Sequence, residues 1–192
     1  MRFKVIALAW CTASVSFPLS AQGVETKTFT VSSSAFQDGG LLPKKYASIA
    51  IGDRSCGGQN LSPPLSWINA PEGTQSFAIV VFDPDANKGL VGNIHWVAYG
   101  IPADKREAQE GMGSSEPTGF TGGLNGRKQK TYFGPCAPAS EQPHHYLFTV
   151  FATDLPRGQL EGDLTREQLL AKLQGHVLAS GSIVGRFNVA NQ

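Results

Sequence analysis

Four side chains in this sequence join acid–base chemistry to positions at the ends of apolar runs: Asp83, His95, His144 and Tyr146. A carboxylate beside an imidazole orients the ring and favours its protonated form. Two imidazoles, a phenol and backbone N–H groups together make a donor-rich pocket, which suits a phosphate or carboxylate without Lys or Arg. In such a pocket Asp83 braces a histidine rather than touching the anion, because two negative charges in contact repel. Asp85 reads as a cap of its own Asp83-Pro84-Asp85 turn. On a strand His144 and Tyr146 face one way and His145 the other, so the first two can share a pocket.

Other chemistries lack a signature here. There is no Gly-x-Ser-x-Gly elbow, no Walker loop and no Gly-x-Gly-x-x-Gly after a strand. His95, His144 and Asp83 lack the close ligand pair that metal sites favour, so no metal and no cofactor is expected. Cys136 near His144 would allow a thiol nucleophile, but a partner in Cys56 argues against that.

The elements that must position these groups follow from the hydrophobic pattern. Phe77 to Phe82 is a continuous apolar run, the mark of a strand buried on both faces, and it ends in Asp83 and Asp85. Ile94 to Ile101 is the next strand, and a hairpin return brings His95 back beside Asp83. His144 to Asp154 alternates, with Tyr146, Phe148, Val150 and Ala152 on one face. Thr26 to Ser32 alternates as a half-buried strand, and Leu41 to Ile51 reads as a second extended piece anchored by Tyr46. Pro63 and Pro64 exclude helix and central strand, while Leu65 and Trp67 share a parity and pack inward. Ala103 to Lys130 is the longest irregular segment. One helix is expected, with Thr165 as N-cap, Gln168 completing a capping box, and an apolar face of Leu169, Leu173, His176 and Val177. Gly181 is expected at its C-terminal end, with Ser182 to Val189 as the last strand. Strands dominate, which gives a mainly β, largely antiparallel fold with peripheral helix.

Composition bounds the rest. The chain has 192 residues, enough for one domain with a real core. Its formal charge is +1 and it has no basic tract, so nucleic-acid binding is not expected. Arg2 and Lys4 precede an apolar stretch, Val5 to Phe17, that is too short to span a bilayer, and Leu19-Ser20-Ala21 supplies a cleavage point. Residues 1–21 therefore read as a signal peptide and 22–192 as a single exported domain with no transmembrane segment, periplasmic or secreted. An uncleaved anchor or a buried N-terminal strand is the alternative. Cleavage removes two positive charges and leaves a formal charge of about −1 (1 − 2). Trp10 before Cys11 argues against lipidation. Cys56 and Cys136 then remain, either as a disulfide or as two separate buried thiols.

Several motifs occur in order: Asn60-Leu61-Ser62-Pro63-Pro64-Leu65-Ser66-Trp67, Ser76-Phe77-Ala78 leading to Asp83-Pro84-Asp85-Ala86, His95-Trp96, Gly134-Pro135-Cys136 and His144-His145-Tyr146. Together they resemble the phosphatidylethanolamine-binding protein family, also called Raf kinase inhibitor-like proteins, in its bacterial branch. The resemblance spans about Thr28 to Phe187. It implies a central antiparallel sheet with a second smaller sheet and peripheral helices, and a small anion pocket for phosphate-type head groups. That pocket maps to Asp83, His95, Gly134, Pro135, His144 and Tyr146. The resemblance also implies a binding or regulatory protein rather than an enzyme, and a homodimer. The second reading is a protein-interaction or inhibitor module that receives a partner's anionic group in the same pocket, and the third is a hydrolase using a His–Asp dyad. The sequence departs from the family at Asn87, Phe133, Ala137 and Ser140-Glu141, all on the rim of the inferred pocket.

Overall fold

The apolar run that ends in Asp83 forms the middle of a six-stranded sheet. A computed structural model describes residues 27–52 and 54–190 of the chain, so the signal peptide expected at 1–21 lies outside the described residues. In chain order the strands are β1 (Thr30–Ser32), β2 (Gly40–Leu41), β3 (Ala50–Ile51), β4 (Arg54–Ser55), β5 (Leu65–Ile68), β6 (Ser76–Asp83), β7 (Asn93–Pro102), β8 (Glu107–Ala108), β9 (Thr121–Gly122), β10 (His144–Thr153) and β11 (Val177–Phe187). The α-helix α1 (Arg166–Leu173) lies between β10 and β11.

The large sheet has the order β2-β11-β10-β6-β7-β9. Its pairings are antiparallel except β2 with β11. A second sheet, β1-β5-β8, and a two-stranded ribbon, β3-β4, complete the mainly β fold. The continuous apolar run of β6 is explained by its two buried faces. Phe77, Ile79 and Val81 join the larger core cluster with Trp67, Phe148 and Val150, while Ala78 and Val80 join a second cluster with Val97, Leu169 and Leu173 of α1. Leu65 and Trp67 are fully buried, as their shared parity requires.

Three expectations need correction. Leu41 to Ile51 is not one extended piece, because Pro43 opens a 3-10 turn over Lys44–Tyr46 and only Ala50–Ile51 returns to strand. The Thr165 capping box forms as expected, but α1 stops at Leu173. Gly175, at φ +82°, turns the chain there, a conformation that glycine adopts without strain. Val177 is thereby freed to pair with Thr153, so the last strand begins at Val177, and Gly181 lies inside it opposite Val150 rather than ending the helix. Finally, β1 starts at Thr30, later than the Thr26 read from the alternation.

Candidate functional site

Strand register brings the chemistry to one end of the large sheet. β6 and β7 form a hairpin in which Asp83 pairs with Asn93, and β10 lies antiparallel on the other side of β6 with Leu147 opposite Phe82. The C-terminal end of β6 and the N-terminal ends of β7 and β10 therefore meet. Register shifts within the β6–β7 ladder: Val81 faces Trp96 but Phe82 faces Ile94, leaving His95 as the extra residue of a β-bulge. A bulge re-aims a side chain that strict alternation would send to the other face. His95 accordingly meets Tyr146 edge-on at 5.0 Å between ring centroids, while its neighbour Trp96 stays in the core cluster that includes Tyr146.

An open cavity of about 390 Å³ sits at this end, lined among others by Asp83, Lys88, His95, Glu141, His144 and Tyr146. Asp83 is 3% exposed and its two oxygens divide their work. Oδ1 accepts from the amides of Asp85 (2.9 Å) and Ala86 (3.1 Å), fixing the turn. Oδ2 accepts from His144 Nδ1 at 2.9 Å. On the far side of the same ring, Nε2 of His144 donates to Glu141 Oε2 at 2.8 Å. Both ring nitrogens face carboxylates, an arrangement that favours the doubly protonated, charged ring. Burial opposes that charge, but the two carboxylates outweigh it and raise the His144 pKa above its ordinary value.

His95 is set the opposite way. Its Nδ1 donates to the Phe133 carbonyl at 2.8 Å, and burial pushes its pKa down to about 4, against the pull of Phe133 and Asp83. The ring is therefore neutral near pH 7 and its Nε2 is a bare acceptor. His95 is consequently not a donor to the cavity, contrary to its part in the donor-rich pocket read from sequence. The Tyr146 hydroxyl interacts with Asp83 and the Cys136 amide, and burial, then Asp83, push its pKa up.

The structure brings Asp83, His95, His144 and Tyr146 together around one cavity, as strand parity and the hairpin return suggested. Gly134 and Pro135 stand behind the wall instead of lining it. The Gly134 amide donates to Asn60 Oδ1 at 2.7 Å, and the Pro135 carbonyl accepts from the Ser48 amide at 3.0 Å. A side chain at Gly134 would run into the backbone of Tyr46 and Ala47, so glycine serves close packing there. Cys136, Ala137 and Pro138 form the wall itself. Cys56 and Cys136 form a disulfide with Cα atoms 5.3 Å apart, which ties that wall to the loop carrying Cys56. Asp85 does not cap its own turn. It accepts from the amide (2.7 Å) and Nδ1 (2.8 Å) of His145. Burial works against the Asp85 carboxylate, but these bonds outweigh it and hold its pKa low.

Two positions acquire roles that residue spacing did not suggest. Asn60 staples the wall, with Nδ2 on the Tyr132 carbonyl (3.1 Å) and Oδ1 on Gly134. Glu141, noted in the sequence as a rim residue, reaches into the cavity mouth because Asn188 Nδ2 holds its carbonyl at 2.7 Å and its own amide bonds Pro138 at 3.1 Å. Among the described residues, no group of three His, Cys, Asp or Glu side chains is placed to hold a metal ion. A larger cleft of about 620 Å³ lies elsewhere, lined by Lys105, Glu107, Met112, Phe120 and Arg157 among others, and contains none of Asp83, His95, His144 and Tyr146.

Comparison with known proteins bears on most of the chain. A family model described as phosphatidylethanolamine-binding protein matches residues 32–188. A UPF0098 protein of Aquifex aeolicus is 35% identical over 175 residues, covering 90% of this chain and 95% of the relative. The UPF0098 protein YbhB of Escherichia coli is 35% identical over 158 residues, covering 81% and 98% respectively. The crystal structure of E. coli YbcL, described as a new member of the mammalian PEBP family, superposes with a TM-score of 0.75 at 31% identity. That match covers 84% of this chain and 99% of YbcL.

Proposed function

Given that this chain belongs to the phosphatidylethanolamine-binding protein family, we propose that it is an exported, non-catalytic binding protein whose cavity takes phosphate-type or other small anionic groups. One observation carries the reading: the Glu141 carboxylate sits on His144 Nε2 at 2.8 Å in the cavity mouth. It stands where a ligand's oxyanion would sit, and the imidazolium N–H is a charge-assisted donor for either. Glu141 is an internal occupant that an external anion displaces. Its side chain is 48% exposed and half in water, so it swings out at little cost. Asp83 remains behind the ring and keeps it charged.

The state of the cavity's hydroxyl and sulfur supports binding rather than catalysis. The cavity's hydroxyl is Tyr146, held protonated by burial, and its sulfur, on Cys136, is in a disulfide. The disulfide also supports export, since such bonds persist outside the reducing cytoplasm. The inhibitor reading uses the same seat, since a partner's carboxylate would replace Glu141 as readily as a free anion does.

The test is calorimetric titration of inorganic phosphate into the intact protein and its Glu141→Ala and His144→Asn variants. Affinity should rise about tenfold in Glu141→Ala, corresponding to loss of an internal competitor worth ~1.4 kcal/mol. It should vanish in His144→Asn. Absence of binding at millimolar phosphate in both the wild type and Glu141→Ala would reject the reading.

A further inference from the structure

One buried nitrogen in this cavity has no hydrogen-bond partner: Nε2 of His95, on a side chain that is 3% exposed. Its role is fixed by geometry. A carbonyl oxygen only accepts, so Nδ1, 2.8 Å from the Phe133 carbonyl, carries the ring proton and Nε2 presents a lone pair. Asp83 Oδ2 lies 4.0 Å from that lone pair but is itself an acceptor, already taken by His144 Nδ1, so it cannot satisfy His95. Leaving a buried acceptor unmatched is costly, and the cost falls on any occupant that brings no hydrogen.

The surroundings keep this arrangement. Facing His95 are Asp83 from β6, with Tyr146 and His144 from β10. Phe133 also lies 4.1 Å away between ring centroids, with Arg127 over the Phe133 ring at 4.4 Å. Burial chiefly, then the positive Arg127 and His144, outweighs Phe133 and Asp83 and keeps the ring neutral. The phenol of Tyr146 is already engaged with Asp83 and the Cys136 amide. Whatever donor rests at Nε2 in the unliganded protein, a ligand that replaces it must supply one.

We infer that the cavity selects anions that carry their own proton: an oxyacid with one hydroxyl left, such as hydrogen phosphate or a phosphomonoester monoanion. The charged oxygen takes the Glu141 place on His144 Nε2, and the acidic hydroxyl donates to His95 Nε2, while Asp83 stays on the far side of the His144 ring. The inference rests on the anion-binding reading above and adds the protonation state. Hydrogen phosphate and sulfate, alike in shape and size, are then separated by one hydrogen. A phosphomonoester, which gains its proton only below about pH 6, becomes a pH-gated ligand.

The experiment is calorimetry on the intact Glu141→Ala variant and the wild type with inorganic phosphate, sulfate and methyl phosphate. At neutral pH, phosphate should bind about 100-fold or more tightly than sulfate, because a site built around a donor rejects the analogue that lacks it. Methyl phosphate should gain at least about tenfold more than sulfate does between about pH 8 and pH 5, sulfate reporting the shared effect of His144 charge. If phosphate and sulfate bind within about threefold of each other, the donor requirement is wrong while the anion site stands. If neither binds to either protein, the anion site itself is wrong, and this inference falls with it.

Discussion

The neutral, buried His95 makes the fold sensitive to acid in a way that can be worked from its environment. Its pKa falls from 6.5 to about 4 on folding, chiefly through burial. A histidine depressed on folding contributes stability that is fully present above its unfolded pKa and lost as pH falls toward the folded value. The shift of about 2.5 units corresponds to about 3 kcal/mol in total, with about 2 kcal/mol already lost at pH 5. His144 does not mask this loss. Its pKa is raised, so its contribution is complete below 6.5 and declines only as pH rises through its folded value. Urea denaturation of the wild type and a His95→Asn variant at pH 7 and pH 5 measures the effect. Asparagine offers an N–H to the Phe133 carbonyl but does not titrate. Its own packing loss appears equally at both pH values and cancels in the difference. The wild type should lose about 2 kcal/mol more than the variant over that interval, or roughly 4–8 °C in Tm. Parallel losses in the two proteins would refute the argument, as would a His95 ring resonance that titrates near pH 6.5.

Asp83→Asn should keep the turn, because the amide oxygen can still accept from Asp85 and Ala86, but it turns an N–H toward the His144 N–H. Breaking a buried pair in this way should cost about 3 kcal/mol in urea denaturation and lower the His144 pKa in a histidine NMR titration. The Cys56–Cys136 disulfide spans 80 residues of sequence, so replacing both cysteines by alanine should destabilise the fold by about 2–5 kcal/mol. Adding a reductant to the wild type should reproduce most of that drop in Tm, and a Tm that does not move would show that the bridge is dispensable.

The strands that frame the site could be read directly from residue order. The apolar run Phe77–Phe82 has no polar face, so only a strand covered on both sides accommodates it. The alternation after His144 likewise assigns Tyr146 and Phe148 to the core. The N-terminus of α1 was legible because a capping box is local chemistry, contained in Thr165 and Gln168. Its C-terminus was not, because Gly175 and Gly181 both offer a plausible stop and the choice depends on β11 pairing with β10. His95 shows the limit at the site itself. Its type marked it, but its role as an acceptor depends on a bulge and on the Phe133 carbonyl, which arrives from 38 residues later. Gly134 reads in the sequence as part of the pocket, but it stands behind the wall, because close packing against residues 46–48 turns its amide toward Asn60 and away from the cavity. Glu141 sits in a short polar segment with no periodicity, and what aims it is the hydrogen bond from Asn188, a long-range contact without a local signal.

The most direct test of the central claim is the crystal structure of the protein grown with inorganic phosphate. An oxygen of the phosphate should lie within hydrogen-bond distance of His144 Nε2, with the Glu141 side chain turned outward and the Asp83–His144 bond intact. A structure that leaves Glu141 on His144 and the cavity without phosphate, at concentrations that saturate any binding seen by calorimetry, would contradict it.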